Sequence, residues 1–264
     1  MRPPGCNNAG LGTTQNPSNG AMKPGGFPEN AHREFRSIRE GHFWFQSRKI
    51  VLKAVIDGLS LPGGSMAAEV GCGDGHLLEL LPGRCRLGIE ISHADLICAR
   101  ELWSGPLIEA AAEQLPLRKQ LSLICAFDLL EHLPDARPFL QCCFESLEPA
   151  GWLMLTVPSD PRLWSVYDVF AGHCRRYTRA TLAAVVEAAG FKTLRIFPLF
   201  RTLWPLVWLR VKVGSNHPIS NPARDYSVHP LANGILRFLL RLEWRLAGMA
   251  SLGTGTSWCM LARK

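Results

Sequence analysis

An α/β fold built on a doubly wound, mostly parallel sheet is predicted by three observations. After Gly64, short apolar runs of strand length alternate with stretches of helical periodicity, the pattern of strands joined by crossover helices. A glycine-rich loop, Glu69 to Gly75, stands where the first run meets the segment that follows it. The 264 residues are 47% hydrophobic and 19% charged, enough apolar surface to cover a sheet on both faces and to exclude disorder as the overall description. This length fits one large domain with a cap or an insertion, not three ordinary domains.

Residues 1–30 are crowded with Gly, Pro and Asn and show no apolar periodicity; they read as a disordered tail. Residues 31–62 read as a helical cap, with Phe35, Ile38, Val51, Leu52, Val55 and Ile56 recurring at steps of three and four before SLPGG closes the segment. The main domain covers residues 63–264. Its predicted elements begin with a strand from Met66 to Val70 and a helix from Gly75, then a strand from Leu87 to Ile91 and a helix from His93. A weaker strand around Ile108 to Ala111 precedes the run Leu121 to Phe127, a helix near Pro138, and a strand from Trp152 to Val157. Thr178 to Gly190 reads as a helix with Thr178 as N-cap and Gly190 in the left-handed position past its end. Lys192 to Phe197 and Ser257 to Leu261 supply the last two strands, and residues 198–255 between them are too long for a turn and form a structured insertion.

Lys plus Arg is 29 and Asp plus Glu is 22, a formal charge of +7 that favours acidic surfaces, phosphates or anionic lipid as neighbours. Nine cysteines, two of them adjacent at Cys142 and Cys143 and none in a C-x-x-C pair, give neither a disulfide framework nor a metal site, so a reducing, cytoplasmic location is expected. No apolar run approaches the roughly 20 residues that span a bilayer, and the opening MRPPGCNNAG lacks the apolar core of a secretory signal.

In the loop EVGCGDG, Gly71, Gly73 and Gly75 permit positive φ and leave no Cβ in the way of a ligand. Glu90 follows Gly71 by 19 residues at the end of the second strand, where a carboxylate can accept both hydroxyl protons of a ribose. A dinucleotide site carries its third glycine further along than Gly75. Here position 76 is His76, and the acids Glu69 and Asp74 suit the ammonium and sulfonium charges of S-adenosylmethionine better than a diphosphate.

Five motifs, in order, carry a resemblance: EVGCGDG, GIEIS from Gly88 to Ser92, AEQLPL from Ala112 to Leu117, CAFDLLEHLPD from Cys125 to Asp135, and LEPAGWLMLTVPS. In these the chain resembles the class I S-adenosylmethionine-dependent methyltransferases, of the small-molecule type related to ubiquinone and menaquinone biosynthesis enzymes. The resemblance spans Glu69 to about Phe197. It implies a Rossmann-like sheet of seven strands ordered 3-2-1-4-5-7-6, with only the last antiparallel. It further implies that Glu69, Gly71, Gly73 and Asp74 surround the methionine part of the cofactor, with Cys72 and Gly75 in the same loop. Glu90 would hold the ribose, Ile91 would lie beside the adenine, Glu113 and Gln114 near the adenine amino group, and Phe127 with Asp128 would close the methionine side. Relatives often carry an Asp before the Ala-Glu pair where this chain has Ala111, so one adenine contact is either missing or supplied by backbone.

Methyl transfer from a sulfonium is an in-line displacement whose leaving group needs no proton, so placing the acceptor within about 3 to 3.5 Å accounts for much of the catalysis. A hydroxyl acceptor gains roughly 10²- to 10⁴-fold from a base, and histidine has the right intrinsic pKa. Two histidines follow strands on the ligand side, His132 and His173. His132 reads either as that base or as packing of the loop behind the fourth strand. His173 belongs to GHCRRYT, downstream of Trp164, Tyr167 and Asp168. Its neighbours Arg175 and Arg176 either select an anionic group on the acceptor or pair with surface acids. Trp44, Tyr167, Arg175, Arg176 and Tyr177 are the expected acceptor-side residues, and the run Phe43, Trp44, Phe45 is either a lid over the site or the core of the cap.

In the insertion, Arg237, Arg241 and Arg245 recur every four residues amid a wide apolar arc, and TLWPLVWL, Thr202 to Leu209, is flanked by Arg201 and Arg210. These surfaces suit a wall over the acceptor pocket, a patch in a membrane headgroup region, or mutual burial. The expected function is methyl transfer to a small-molecule or lipid-linked acceptor, with peripheral membrane contact through residues 201–246. The alternatives are an RNA or DNA methyltransferase and a catalytically silent module that only binds the cofactor. The tetrapeptide N-P-P-Y or D-P-P-Y of amino-methylating nucleic-acid enzymes is absent after the fourth strand, where FDLL stands, so nucleic acid is not the expected partner.

Overall fold

The computed structural model describes residue 36, residues 38–214 and residues 226–264. The tail expected over residues 1–30 and the first residues of the cap, Phe35 among them, lie outside these. A single sheet contains β1 (Met66–Val70), β2 (Cys85–Glu90), β3 (Leu107–Glu109), β4 (Leu121–Phe127), β5 (Leu147–Pro158), β6 (Lys192–Leu199) and β7 (Ser257–Arg263). Its order is β3-β2-β1-β4-β5-β7-β6; β1 to β5 pair in parallel, and β7 runs antiparallel to both β5 and β6. This is the order that the motifs imply.

The described helices are α1 (Phe43–Asp57), α2 (His93–Leu102), α3 (Arg137–Ser146), α4 (Val166–Phe170), α5 (Arg179–Ala188), α6 (Trp204–Val213) and α7 (Pro230–Ala247). Two apolar layers explain their placement. Strand β4, LSLICAF, is buried along its whole length, and its alternating side chains feed both layers. Ile124 and Ala126 meet Phe139 and Leu140 of α3 and Leu182 and Val186 of α5 on one face. Leu123, Cys125 and Phe127 meet Val51, Leu52, Val55 and Ile56 of α1 and Leu240 of α7 on the other. The cap helix and the long insertion helix thus cover one side of the sheet.

Several ends follow the sequence signals. Ser92 caps α2 by accepting the Asp95 N–H, and Pro138 sits in the first turn of α3. Thr178 and Thr181 form a reciprocal cap at the start of α5, and Gly190 takes φ +94° just past its end. Three expectations are corrected. No helix begins at Gly75: the segment makes one 3-10 turn, Leu78–Leu80, because Pro82 and Gly83 follow before an α-helix can propagate, and Pro82 offers no N–H. The cap is interrupted at Gly41 and His42; the extended His42 accepts the Trp44 N–H on its imidazole and starts a new helix at Phe43. The third strand is Leu107–Glu109 rather than Ile108 to Ala111.

Candidate active site

The loop after β1 turns through left-handed backbone at Gly71 (φ +73°) and Gly73 (φ +54°), conformations that cost a side chain strain. A Cβ on Gly71 would also lie 2.9 Å from the Leu129 side chain. Opposite the loop, at the carboxyl end of β2, Glu90 is held almost entirely by backbone. Its Oε2 accepts the Gly73 N–H at 2.9 Å, and its Oε1 accepts the N–H groups of Ile91 at 2.8 Å and Ser92 at 3.0 Å. A carboxylate has about four lone-pair sites, so capacity remains for an incoming hydroxyl. Ile91 is exposed beside it.

Glu69, the last but one residue of β1, is 2% exposed, and its Oε2 has no hydrogen-bond partner among the described residues. Burial pushes its pKa up to about 8; Arg48 pulls the other way, while Asp74 and Glu90 add to the rise. The thiol of Cys72, next to it in the loop, is also pushed up by burial. Gly75, closing the loop, has φ +76°.

Two guanidinium groups that are not among the residues expected from the sequence reach this edge from the cap. Arg39 pairs with the buried Asp74, whose other oxygen lies 3.0 Å from His76 Nδ1; burial lowers the His76 pKa. Arg48, on α1, pairs with Asp128 and donates to Thr156 Oγ1 at 2.8 Å. Thr156 in turn donates to Asp128 at 3.0 Å. Burial works against the Asp128 carboxylate, but Arg48 outweighs it and holds the pKa below the usual range. Trp44 lies 5.0 Å from the Arg48 guanidinium and 6.3 Å from the Phe200 ring, while Arg39 lies 5.8 Å from the Phe45 ring. The available signal was that Arg48 falls three, four and seven residues before Val51, Leu52 and Val55, a charge on the apolar face of its helix.

Past β5, the carboxylate of Asp168 is fully buried and accepts from the Ser165 N–H at 2.8 Å and hydroxyl at 3.1 Å. It also accepts two bonds from Arg176, at 2.7 and 3.0 Å, and lies 2.9 Å from His173 Nδ1. Burial opposes this ionised state, yet His173 and Arg176 hold the carboxyl below the usual range. His173 Nε2 is 3.9 Å from Glu131 Oε1, and the His132 and His173 rings meet edge-on at 4.8 Å. Glu131 is fully buried, and neither carboxyl oxygen has a hydrogen-bond partner among the described residues. Burial, aided by Asp128, raises its pKa well above the ordinary value. Ligand-type atoms of Glu131, His132 and His173 lie within 4.8 Å of one another.

The structure separates the remaining residues of the expected acceptor site. Arg175 is turned away and donates to the Pro134 carbonyl, so it does not converge with Arg176. Tyr177 is buried in the core, its hydroxyl donating to the Leu130 carbonyl at 3.3 Å and its pKa pushed up to about 12 by burial. Both departures have one cause: Tyr177 bridges in parallel to Ser159, and extended backbone sends alternate side chains to opposite sides, Arg176 inward to Asp168 and its two neighbours elsewhere. Tyr167 accepts from Arg210 of α6 and packs against Tyr226 at 5.1 Å. Glu113 and Gln114 sit in the turn after β3, where the Gln114 N–H donates to the Ala111 carbonyl at 3.0 Å. Phe127, at the end of β4, belongs to the layer shared with α1.

Residues 53–196 match the family model described as a methyltransferase domain. A Mycolicibacterium smegmatis protein named a probable S-adenosylmethionine-dependent methyltransferase is 25% identical over 185 residues, covering 66% of this chain and 70% of that one. The ubiquinone biosynthesis O-methyltransferase of Pseudomonas fluorescens is 30% identical over 113 residues, covering 38% of this chain and 48% of its own length, so the match spans about half of that relative. The solved structure of an S-adenosylmethionine-dependent methyltransferase from Mesorhizobium loti superposes with a TM-score of 0.55 at 17% identity, covering 86% of this chain and all of that one. At that identity it speaks for the fold.

Proposed function

The chain belongs to the class I S-adenosylmethionine-dependent methyltransferases, and from that premise we propose that it methylates a hydroxyl group on a small or lipid-like metabolite. S-adenosylmethionine is its cofactor and, when bound, supplies a methyl group on a sulfonium that departs as a neutral thioether.

The residues at the β1–β2 edge fit such a molecule. The orphaned Oε2 of buried Glu69 suits a cationic ammonium, which would stabilise its ionised form. Spare lone pairs on Glu90 suit the two ribose hydroxyls. In this reading Ile91, Glu113 and Gln114 border the adenine. Gly71, Cys72, Gly73, Asp74 and Gly75 shape the methionine end. Phe127 and Asp128 close it, and Arg39 and Arg48 cover it from the cap, the latter with Trp44 above it.

On the acceptor side, Asp168 fixes the proton of His173 on Nδ1 and leaves Nε2 to accept the proton of a hydroxyl. That is the arrangement of a general base oriented by a buried acid, and it is the observation that carries the choice of oxygen. In this reading His132, edge-on to His173, and Tyr167, bonded to Arg210 of α6, border the acceptor. Arg176 is engaged by Asp168 through two hydrogen bonds, so its role in this reading is to stabilise that carboxylate rather than to select an anionic group on the acceptor. The O-methyltransferases among the partial relatives support the same accepting atom. A cytoplasmic location with peripheral membrane contact through residues 201–246 belongs to this reading, since a lipid-linked acceptor is presented at a surface.

Transfer of labelled methyl groups into separate lipid, soluble-metabolite and RNA fractions of a cell extract tests the proposal. Label in an organic-soluble or small-metabolite product, lost in His173→Gln with cofactor affinity intact, is expected. Label confined to RNA or protein would overturn it.

A further inference from the structure

Helix α7 has two apolar faces. One carries Leu240, buried, with Leu236 and Trp244 beside it in the layer over the sheet. The other carries Leu231, Ile235, Phe238, Leu242 and Leu246, spaced four, three, four and four residues apart, and remains in contact with solvent: Leu231 is 70%, Phe238 65% and Leu246 79% exposed. At about 1.5 Å per residue this ridge runs for most of two dozen ångströms. Isolated exposed leucines are ordinary, but a continuous ridge along a helix is a binding surface.

The charges around the ridge identify its partner. Arg237, Arg241 and Arg245 form a stripe along one border, and none of them has a carboxylate partner among the described residues. The only acid on α7, Glu243, is turned inward, accepting the N–H groups of Arg201 and Thr202 at 2.8 and 2.9 Å. Helix α6 contains no acid and adds Arg210 and Lys212, with Leu206, Leu209 and Val213 exposed. Exposed charge on the two described insertion helices is therefore entirely positive. A second copy of the chain would have to answer these arginines from the same surface, and the described residues of that surface offer them no exposed acid. An anionic lipid surface answers both features, taking the apolar ridge into its acyl boundary and the arginines at its headgroups. No described helix is long and apolar enough to cross a membrane, so contact of this kind lies in the plane of the interface.

We propose that the outer face of α7 docks the enzyme on an anionic membrane, lying parallel to it, with Leu231, Phe238, Leu242 and Leu246 inserted and the arginine stripe on the headgroups. This deepens the reading of a lipid-like acceptor and rests on it.

Flotation of the full chain with vesicles of phosphatidylcholine alone, or of phosphatidylcholine mixed with phosphatidylglycerol, tests the face. The parent chain floats with the mixed vesicles and not with the neutral ones. Phe238→Asp with Leu242→Asp lowers partition at least about tenfold. Arg237→Gln, Arg241→Gln and Arg245→Gln together lower it about a hundredfold, at about fivefold for each arginine. Both variants keep their affinity for S-adenosylhomocysteine, because none of these positions belongs to the cofactor site. Absence of flotation at low salt, flotation unaffected by the two aspartates, or a dimer in solution that the aspartates convert to monomer would each overturn the proposal. A chain that binds S-adenosylhomocysteine but no vesicle overturns the membrane face alone; one that binds vesicles but no S-adenosylhomocysteine overturns the methyl-transfer reading alone.

Discussion

The two halves of the sheet's carboxyl edge are built in opposite ways. At the end of β2, Glu90 is held by backbone, with three N–H groups closing on its carboxylate. Past β5, Asp168 is held chiefly by side chains, those of Ser165, His173 and Arg176. In the proposed function the first half recognises a constant cofactor with a few fixed donors and acceptors. The second can be re-specified by exchanging side chains, which suits the part of a methyltransferase that meets a variable acceptor.

The contrast makes predictions. His173→Gln should cost roughly 10²- to 10⁴-fold in turnover with little change in S-adenosylhomocysteine affinity, measured by single-turnover kinetics and calorimetry; equal losses in both would erase the division between the halves. Asp168→Ala leaves Arg176 without its buried partner and should destabilise the fold by about 3 to 5 kcal/mol in denaturant unfolding; a loss under 1 kcal/mol would show the pair to be solvent-screened. Glu90→Ala should weaken cofactor binding by about 1.5 to 3 kcal/mol, and an effect under roughly 0.5 kcal/mol contradicts its role.

Smaller effects sharpen the same division. The Glu69 pKa in the folded chain, about 8, lies above the ordinary carboxyl value, so the folded state binds a proton that the unfolded state has lost. Its contribution to stability is therefore present at low pH and declines as pH rises from about 4.5 towards 8. Binding of a cationic ligand favours the ionised form, so affinity should rise by up to about tenfold per pH unit over the upper part of that window, and Glu69→Gln should flatten both profiles. Trp44→Ala removes a ring over Arg48 and should cost about 0.5 to 1 kcal/mol in cofactor affinity; no change would make the Trp44 ring part of the cap's own packing.

What could be read in the sequence follows from the same difference in construction. The glycine loop, Glu90 and the strand order depend on short-range spacing, and spacing is what a sequence displays. Arg39 and Arg48 are not legible in spacing because their acids, Asp74 and Asp128, stand in loops 35 and 80 residues away, and only the placement of Arg48 on an apolar helix face hints at a buried pair. Arg175 and Tyr177 do not converge with Arg176 because adjacent residues in extended backbone face opposite ways, so proximity in sequence to Arg176 does not mean a shared direction in space. The helix expected from Gly75 failed because Pro82 stood closer than the periodicity suggested. In α7 the apolar arc was evident, but which part met the sheet and which met solvent required the fold.

The central claim is that the edge of β1 and β2 holds a ligand with a ribose at one end and an ammonium at the other. Calorimetric titration of the full chain with S-adenosylhomocysteine across pH 6 to 8 tests it most directly. The account predicts one site per chain, with affinity that strengthens as pH rises through this range. Absence of binding at millimolar ligand, or binding that Glu90→Ala leaves untouched, would contradict it.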